Sequence, residues 1–356
     1  MNKETQISNK NLYAVIMAGG VGSRFWPVST PENPKQFHDL LGTGKSLLQQ
    51  TFDRILPLVA AENILISTNE KYKELTLQQL PLITENQLVL EPAMRNTAPA
   101  ILYTALKINA LNPDALILIA PSDHWIDRED IFLEKLLQSY HQCQAQDVLM
   151  TMGIVPTYPN TGYGYIQFEK GKTDIKKVTR FTEKPDYENA VRFIESGDFL
   201  WNAGIFIWSS KSILKAFQQY LPQTFALLSQ GNAVYNTDKE SEFIQENYPK
   251  SENISVDYAI LEKAENVFVL PVDMGWNDLG TWGALHQKLD KDAHDNAVVH
   301  AQVYFEDAQQ NIIRTDKGKK VIIKGLQDFI VVDYQDTLMI VPKNDEQAIK
   351  ELSKKI

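Results

Sequence analysis

The chain has 356 residues, 44% hydrophobic and 22% charged, with 35 basic and 45 acidic side chains and a net charge of −10. That length exceeds what one hydrophobic core ordinarily serves, so a large domain with a smaller one is expected, and the acidic balance disfavours nucleic acid as a partner. A single cysteine, Cys143, excludes an intramolecular disulfide and any cysteine-rich metal site; residues 1–11 are polar and no apolar run has membrane-spanning length, so a cytoplasmic protein without export signal or membrane span is expected.

In chain order, apolar runs predicted as strands recur at 14–17, 63–67, 87–90, 115–120 and 148–154. Helix-like stretches at 46–56, 70–80, 98–110 and 131–144 separate them. Alternation of this kind predicts an open, mainly parallel α/β sheet flanked by helices, with ligands beyond the carboxyl ends of the strands. From Gly162 the pattern shifts to short strands at 165–169, 178–183 and 204–208 around a helix at 189–196, an inserted and partly antiparallel section. After His286 come strands at 298–305, 311–314, 320–323, 329–332 and 337–341, spaced by turn residues as in a β-solenoid or small barrel, then a helical stretch at 345–355. A boundary near residue 290 is expected, giving domains 1–290 and 291–356.

The first strand runs into Ala18-Gly19-Gly20-Val21-Gly22-Ser23-Arg24, and a basic turn follows at Pro34-Lys35-Gln36-Phe37. Glycines let a backbone approach phosphate oxygens closely, and Arg24 and Lys35 suit the charge that phosphoryl transfer develops. The spacing is not G-x-G-x-x-G, so no dinucleotide fold is indicated. Gly42-Thr43-Gly44-Lys45-Ser46 imitates the end of a P-loop, but Asp39 stands in place of its first glycine, and a loop preceding a helix is expected.

Asp123, in Pro121-Ser122-Asp123-His124, directly follows an apolar strand; Asp278 lies in Gly275-Trp276-Asn277-Asp278-Leu279-Gly280. Two aspartates on separate loops suit Mg²⁺, or Mn²⁺, with water and phosphate oxygens completing its shell. Either aspartate alone also suits a helix cap or a turn. Glu91-Pro92-Ala93-Met94-Arg95-Asn96-Thr97 follows a strand and opens a helix, with Asn96 or Thr97 as its cap.

The stretch Gly19-Gly20-x-Gly-Ser-Arg-x-x-Pro with Pro34-Lys35 resembles the signature of the sugar-nucleotide pyrophosphorylases; Arg24-Phe25-Trp26-Pro27-Val28-Ser29 and Pro34-Lys35-Gln36-Phe37 are most similar to the mannose-1-phosphate guanylyltransferases. Further likenesses follow in order at Phe181-Thr182-Glu183-Lys184-Pro185, Trp201-Asn202-Ala203-Gly204 and Ser255-Val256-Asp257-Tyr258-Ala259. The resemblance covers about residues 12–290. It implies a Rossmann-like, GT-A-like nucleotidyltransferase core with a small β-helical C-terminal extension. Some longer relatives add a cupin-type phosphomannose isomerase domain, which is not expected within these 356 residues.

The resemblance further implies a nucleotide site of Ala18, Gly19, Gly20, Gly22, Ser23, Arg24, Lys35, Glu91, Asn96, Thr97 and Ser122, and metal ligation by Asp123 and Asp278. Guanine presents two adjacent donors that one carboxylate such as Glu91 can accept together, although a backbone carbonyl serves as well. The sugar phosphate would meet Gly162, Tyr163, Gly164, Glu183, Lys184, Asn202 and Gly204, with Lys184 on its phosphate. Tyr163 equally suits a packing role, the 183–184 pair suits a solvated surface, and 255–263 reads as a helix packing under the site. The implied enzyme joins GTP and mannose 1-phosphate, works as a homodimer, and uses Arg24, Lys35, Asp123, Lys184 and Asp278 in catalysis. Another sugar 1-phosphate, or a silent nucleotide-binding homologue, stays open; a glycosyltransferase is disfavoured because no D-x-D motif surrounds either aspartate.

Overall fold

The computed structural model describes residues 8–356; residues 1–7, part of the polar N-terminal stretch read above, lie outside it. Compactness divides the chain into two units. One runs to Gly19 and takes in Phe52–Pro121 and Ile126–Trp276, and the other gathers Gly20–Thr51, Ser122–Trp125 and Asn277–Ile356.

The first unit is built on nine strands: β1 Leu12–Met17, β2 Ile64–Asn69, β3 Leu88–Glu91, β4 Leu116–Pro121, β5 Leu149–Ile154, β6 Gly164–Phe168, β7 Lys176–Glu183, β8 Phe199–Ser209 and β9 Val267–Pro271. Their order is β3-β2-β1-β4-β8-β5-β9-β7-β6. Strands β1 to β4 pair in parallel, as the strand–helix alternation requires. β8 runs antiparallel to β4, β5 and β6, and β7 antiparallel to β6 and β9, so the inserted section is partly antiparallel as expected. Register aligns the strand ends: Met17 pairs with both Ser67 and Pro121, and Asn69 with Glu91. The carboxyl ends of β1, β3 and β4 therefore lie along one edge of this sheet.

Strand β9 and helices Ser210–Tyr220, Pro222–Ser229 and Glu240–Asn247 are not among the predicted elements, although Ser209 caps the first by accepting from Ser212 N and Pro222 opens the second. Helix Thr97–Leu111 is buried over almost its whole length, and residues such as Ile101, Leu102, Tyr103 and Ile108 join Val15, Ile117, Trp208, Phe217 and Ile260 in one core. A helix apolar on nearly every side has no periodic stripe, yet it lies close to the helix expected at 98–110.

The second unit carries a four-stranded sheet, β10 Ala297–Glu306, β11 Ile312–Lys324, β12 Phe329–Tyr334 and β13 Thr337–Pro342, in sequential order. β10, β11 and β12 pair in parallel and β13 closes antiparallel, so three solenoid-like passes end in a hairpin. Each pass begins after a left-handed corner residue: Asp295 (φ 62), Gln310 (φ 59) and Asp328 (φ 60). At two of these corners an asparagine is buried, and Asn296 Oδ1 accepts from Asn311 Nδ2 at 3.0 Å, a polar ladder that pins successive coils. The runs at 311–314 and 320–323 are one long strand, because parallel pairing to β10 resumes beyond a break at Val299/Ala301.

The core of this unit joins distant sequence. Phe25, Val28, Leu40 and Leu47 cluster with Leu279, Trp282, Ile312, Ile330, Val341 and Ile349. The 345–355 stretch is a 3-10 turn, Lys343–Ala348, followed by a single α turn, Ile349–Leu352. Among the described residues no helix is long and apolar enough to cross a membrane.

Candidate active site

In the first unit, Ala18 continues β1 by donating its N–H to Ser67 O at 2.7 Å, and its carbonyl accepts from Thr68 Oγ1 at 2.9 Å. Gly19 follows with its Cα facing the Glu91 carboxylate; a Cβ there would lie 3.8 Å from Oε1. Glu91 is turned into the protein. Oε2 accepts from Tyr248 Oη at 2.6 Å and Oε1 from Ser67 Oγ at 3.1 Å. Burial pushes its carboxyl above the usual range, opposed by those two donors. Asn96 caps helix Thr97–Leu111 as expected, from a left-handed backbone (φ 63), with Oδ1 accepting from Thr97 N at 2.9 Å. Thr97 Oγ1 accepts from Val256 N at 2.9 Å. Tyr248 is a partner that sequence reading misses, since nothing near position 248 marks it as a neighbour of β3.

The sugar-side elements also meet within this unit. Gly164 begins β6 opposite Glu183 at the end of β7, and a Cβ on Gly164 would overlap the Glu183 carboxylate, 2.7 Å from its Cδ. A larger residue there would push that carboxylate aside. Asn202 lies on β8 with its amide committed at both ends: Oδ1 accepts from Gly204 N at 3.0 Å, and Nδ2 donates to Asp257 Oδ1 at 2.8 Å, with Glu183 Oε1 at 3.5 Å. Burial and the neighbouring Asp257 charge raise the Glu183 carboxyl above its ordinary range. Lys184 is exposed in a left-handed conformation (φ 55) and forms no ion pair or hydrogen bond among the described residues. Gly162 N–H is held by Asn160 Oδ1 at 2.7 Å. Tyr163 has its ring centroid 5.1 Å from that of Trp201 and 5.3 Å from that of Trp276, both edge-on, so packing is at least part of its role.

Asp257 is the second residue that sequence reading misses. Segment 255–263 is expected only to pack, and Ala259, Ile260 and Leu261 do so. The segment is however a π-turn, Asp257–Leu261, with Glu262 N–H reaching Asp257 O at 2.9 Å. Such turns re-aim side chains and recur at functional sites. Burial raises the Asp257 carboxyl, with the Asn202 amide opposing.

The second unit holds the cations and both aspartates. Gly22 turns with φ 70 and ψ 42 into the short 3-10 segment Ser23–Phe25. Ser29 Oγ and Lys35 N–H both bond to the carbonyl of Val21, closing the loop back on the basic turn. Lys35 is 3% exposed, and its ammonium donates to Asp123 Oδ2 at 2.9 Å, Asp123 O at 3.2 Å and Asp278 O at 2.9 Å. All three N–H bonds are thereby used. Burial would raise the Asp123 carboxyl, but Lys35, with His124, outweighs it and holds the group below the usual carboxylate range. Asp278 Oδ1 accepts from Gly280 N at 3.0 Å, and between them Leu279 is buried at φ 45, a conformation uncommon for such a side chain. Ser122 is buried, and its carbonyl accepts from Thr51 Oγ1 at 3.3 Å.

Arg24 is exposed, and its Nε donates to Gln347 Oε1 at 2.9 Å. The P-loop look-alike is a turn leading into a helix, as expected: Asp39 accepts from Thr43 N at 3.0 Å and Gly44 N at 2.8 Å, occupying with its own carboxylate the amides a phosphate would need. Lys35 thus gathers Asp123 and Asp278, far apart in sequence, around one ammonium. Among the described residues no cluster of three or more His, Cys, Asp or Glu suits a metal.

A nucleotidyl transferase family model matches residues 13–295, and a model of the MannoseP isomerase/GMP-like beta-helix domain matches residues 303–356. A mannose-1-phosphate guanylyltransferase of Salmonella muenchen is 36% identical over 349 residues, covering 96% of this chain and 72% of that protein. One from Klebsiella pneumoniae is 35% identical, covering 96% and 73%. A crystal structure from Thermus thermophilus, described as a mannose-1-phosphate geranyltransferase, has a TM-score of 0.88 at 29% identity, covering 97% of this chain and 99% of that one. The chain therefore belongs to the nucleotidyl transferase family, among the mannose-1-phosphate guanylyltransferases.

Proposed function

We propose that this enzyme transfers GMP from GTP to mannose 1-phosphate, forming GDP-mannose and releasing pyrophosphate. The observation that supports it best is the Lys35 ammonium bonded to Asp123 and to the Asp278 backbone, two segments far apart in sequence held at one point. An oxygen of the sugar phosphate attacks the α-phosphorus of GTP in line with the departing pyrophosphate, so no protein nucleophile is needed and the protein supplies alignment and charge.

Asp123 and Asp278 would hold Mg²⁺ or Mn²⁺; a hard cation with two carboxylates, phosphate oxygens and water fits this donor set, whereas a structural zinc or calcium cage would need more protein ligands. When bound, such an ion neutralises charge on the reacting phosphates. Lys35 keeps the two aspartates together and holds Asp123 ionised. Arg24 engages the triphosphate, backbone amides from Gly19 to Ser23 approach its oxygens, and Lys184, whose ammonium is unpaired among the described residues, takes the sugar phosphate. Glu183 accepts sugar hydroxyls, while the Glu91 to Thr97 segment borders the nucleobase. A homodimer in a cytoplasmic setting belongs to the same proposal.

The test is pyrophosphate release from each nucleoside triphosphate in turn, with mannose, glucose and heptose 1-phosphates, with and without Mg²⁺. GTP with mannose 1-phosphate should give the largest kcat/KM, abolished by chelation. A preference of tenfold or more for another nucleotide or sugar phosphate would overturn the assignment.

A further inference from the structure

The C-terminal turn reaches the loop that carries Arg24. Gln347, 323 residues away in sequence, accepts from Arg24 Nε at 2.9 Å, and the rest of the guanidinium has no protein acceptor among the described residues. Its neighbour Glu346 accepts from Gly283 N–H at 2.7 Å, at the start of helix Trp282–Lys288, whose cap Thr281 stands three residues after Asp278. Ile349 is fully buried in the cluster that contains Phe25 and Trp282. Three closely spaced contacts therefore dock this turn: an apolar anchor, a carboxylate on backbone beside the Asp278 loop, and an amide on the Arg24 side chain.

The chemistry of the amide matters. A neutral acceptor at Nε fixes the plane of the guanidinium without cancelling its charge, and it leaves the two terminal nitrogens for a planar anion. We infer that Gln347 is a positioning residue for Arg24, so that the C-terminal turn orients the cation that receives the triphosphate. This rests on the reading of Arg24 given above.

Two substitutions separate the role from simple structural support. Gln347→Ala removes the acceptor, and Gln347→Glu retains the shape and strengthens the bond to Arg24 but adds a negative charge where the triphosphate must approach. If the turn were only structural, the order of fitness would follow stability, with Glu at least equal to Gln and Ala last. Positioning predicts a different order for KM of GTP: about threefold to tenfold higher in Gln347→Ala, the size of one solvent-exposed hydrogen bond, and higher again in Gln347→Glu, with KM for the sugar phosphate unmoved in both. An Arg24→Ala, Gln347→Ala double variant should be no worse than Arg24→Ala alone.

Steady-state kinetics with GTP and mannose 1-phosphate, alongside urea unfolding of each variant, reads all of this on the full chain. Gln347 variants with wild-type KM for GTP beside an impaired Arg24→Ala would overturn this inference alone. A silent Arg24→Ala would overturn it together with the triphosphate role of Arg24, and absence of turnover in the wild type would bring down the proposed function itself.

Discussion

Gly22→Ala is the substitution whose consequence can be worked most directly from the structure. The backbone sits at φ 70, where an L side chain costs about 1–2 kcal/mol. The new methyl would meet Lys35 along its stem, 3.1 Å from Cδ, 3.2 Å from Cγ and closer still to Cβ, against about 3.5–4.0 Å for carbon atoms in contact. Because Lys35 is buried and tied to three oxygens, relieving that overlap displaces it, and overpacking of this kind adds about 1–3 kcal/mol. The sum, about 2–5 kcal/mol, lies below the stability of most domains, so the variant is expected to fold. Activity should suffer more, since a shift near 1 Å in a catalytic group lowers turnover by about 100-fold. Gly44→Ala is the control, because Gly44 is also left-handed, at φ 86, but nothing lies within 4 Å of its added methyl. It should lose about 1 kcal/mol and keep its turnover. Pyrophosphate release and urea unfolding on both variants decide the matter: a Gly22→Ala enzyme with wild-type kcat/KM, or a Gly44→Ala enzyme equally impaired, refutes the reasoning.

Lys35→Met should lower kcat at least about 100-fold while raising the Asp123 carboxyl toward its ordinary range, a change that NMR titration of that carboxyl would follow; an unshifted titration would show that Lys35 is not what holds Asp123 ionised. In the wild type the low Asp123 value contributes stability above the unfolded carboxylate range, lost as pH falls through the folded value, so denaturation midpoints of wild type and Lys35→Met should converge on acidification. Asp257→Asn should raise KM for the sugar phosphate several-fold. Since the Asp257 charge helps raise Glu183, which Glu262 also raises and Lys184 lowers, the acid limb of that variant's kcat/KM should move to lower pH; an unmoved limb would separate the two acids. Lys107→Met breaks the buried pair with Glu240, in which Nζ lies 2.7 Å from each carboxylate oxygen, and should cost about 3–5 kcal/mol by urea unfolding while sparing the kcat of the folded fraction; a loss below about 1 kcal/mol would mean the pair is not desolvated as the structure has it.

Sequence made the parallel half of the sheet readable because each apolar run there is short, bounded and followed by chemistry at its carboxyl end: Met17 by the glycines, Leu90 by Glu91, Ala120 by Ser122 and Asp123. Its limits have physical causes too. Strand β9 and the helices between Ser210 and Asn247 are not among the predicted elements, whereas the near-continuously buried helix Thr97–Leu111 lies close to its expected bounds of 98–110 although it shows no stripe. Asp257 escapes because a π-turn is invisible to a period of 3.6. Tyr248 and Gln347 escape because a contact made across 157 or 323 residues leaves no local trace. The two aspartates could be named from their surroundings, but that Lys35 binds them both could only be seen in three dimensions.

The mixed core of the second unit, in which Phe25 and Leu40 share a cluster with Ile330 and Ile349, has a practical meaning. Cutting the gene near codon 290 would not release a trimmed catalyst and a detachable coil; it would split one hydrophobic nucleus and strip the loop that carries Arg24 of its floor. Chimeras that exchange the tail between homologues must exchange residues 20–51 with it, or repack the seam side chain by side chain.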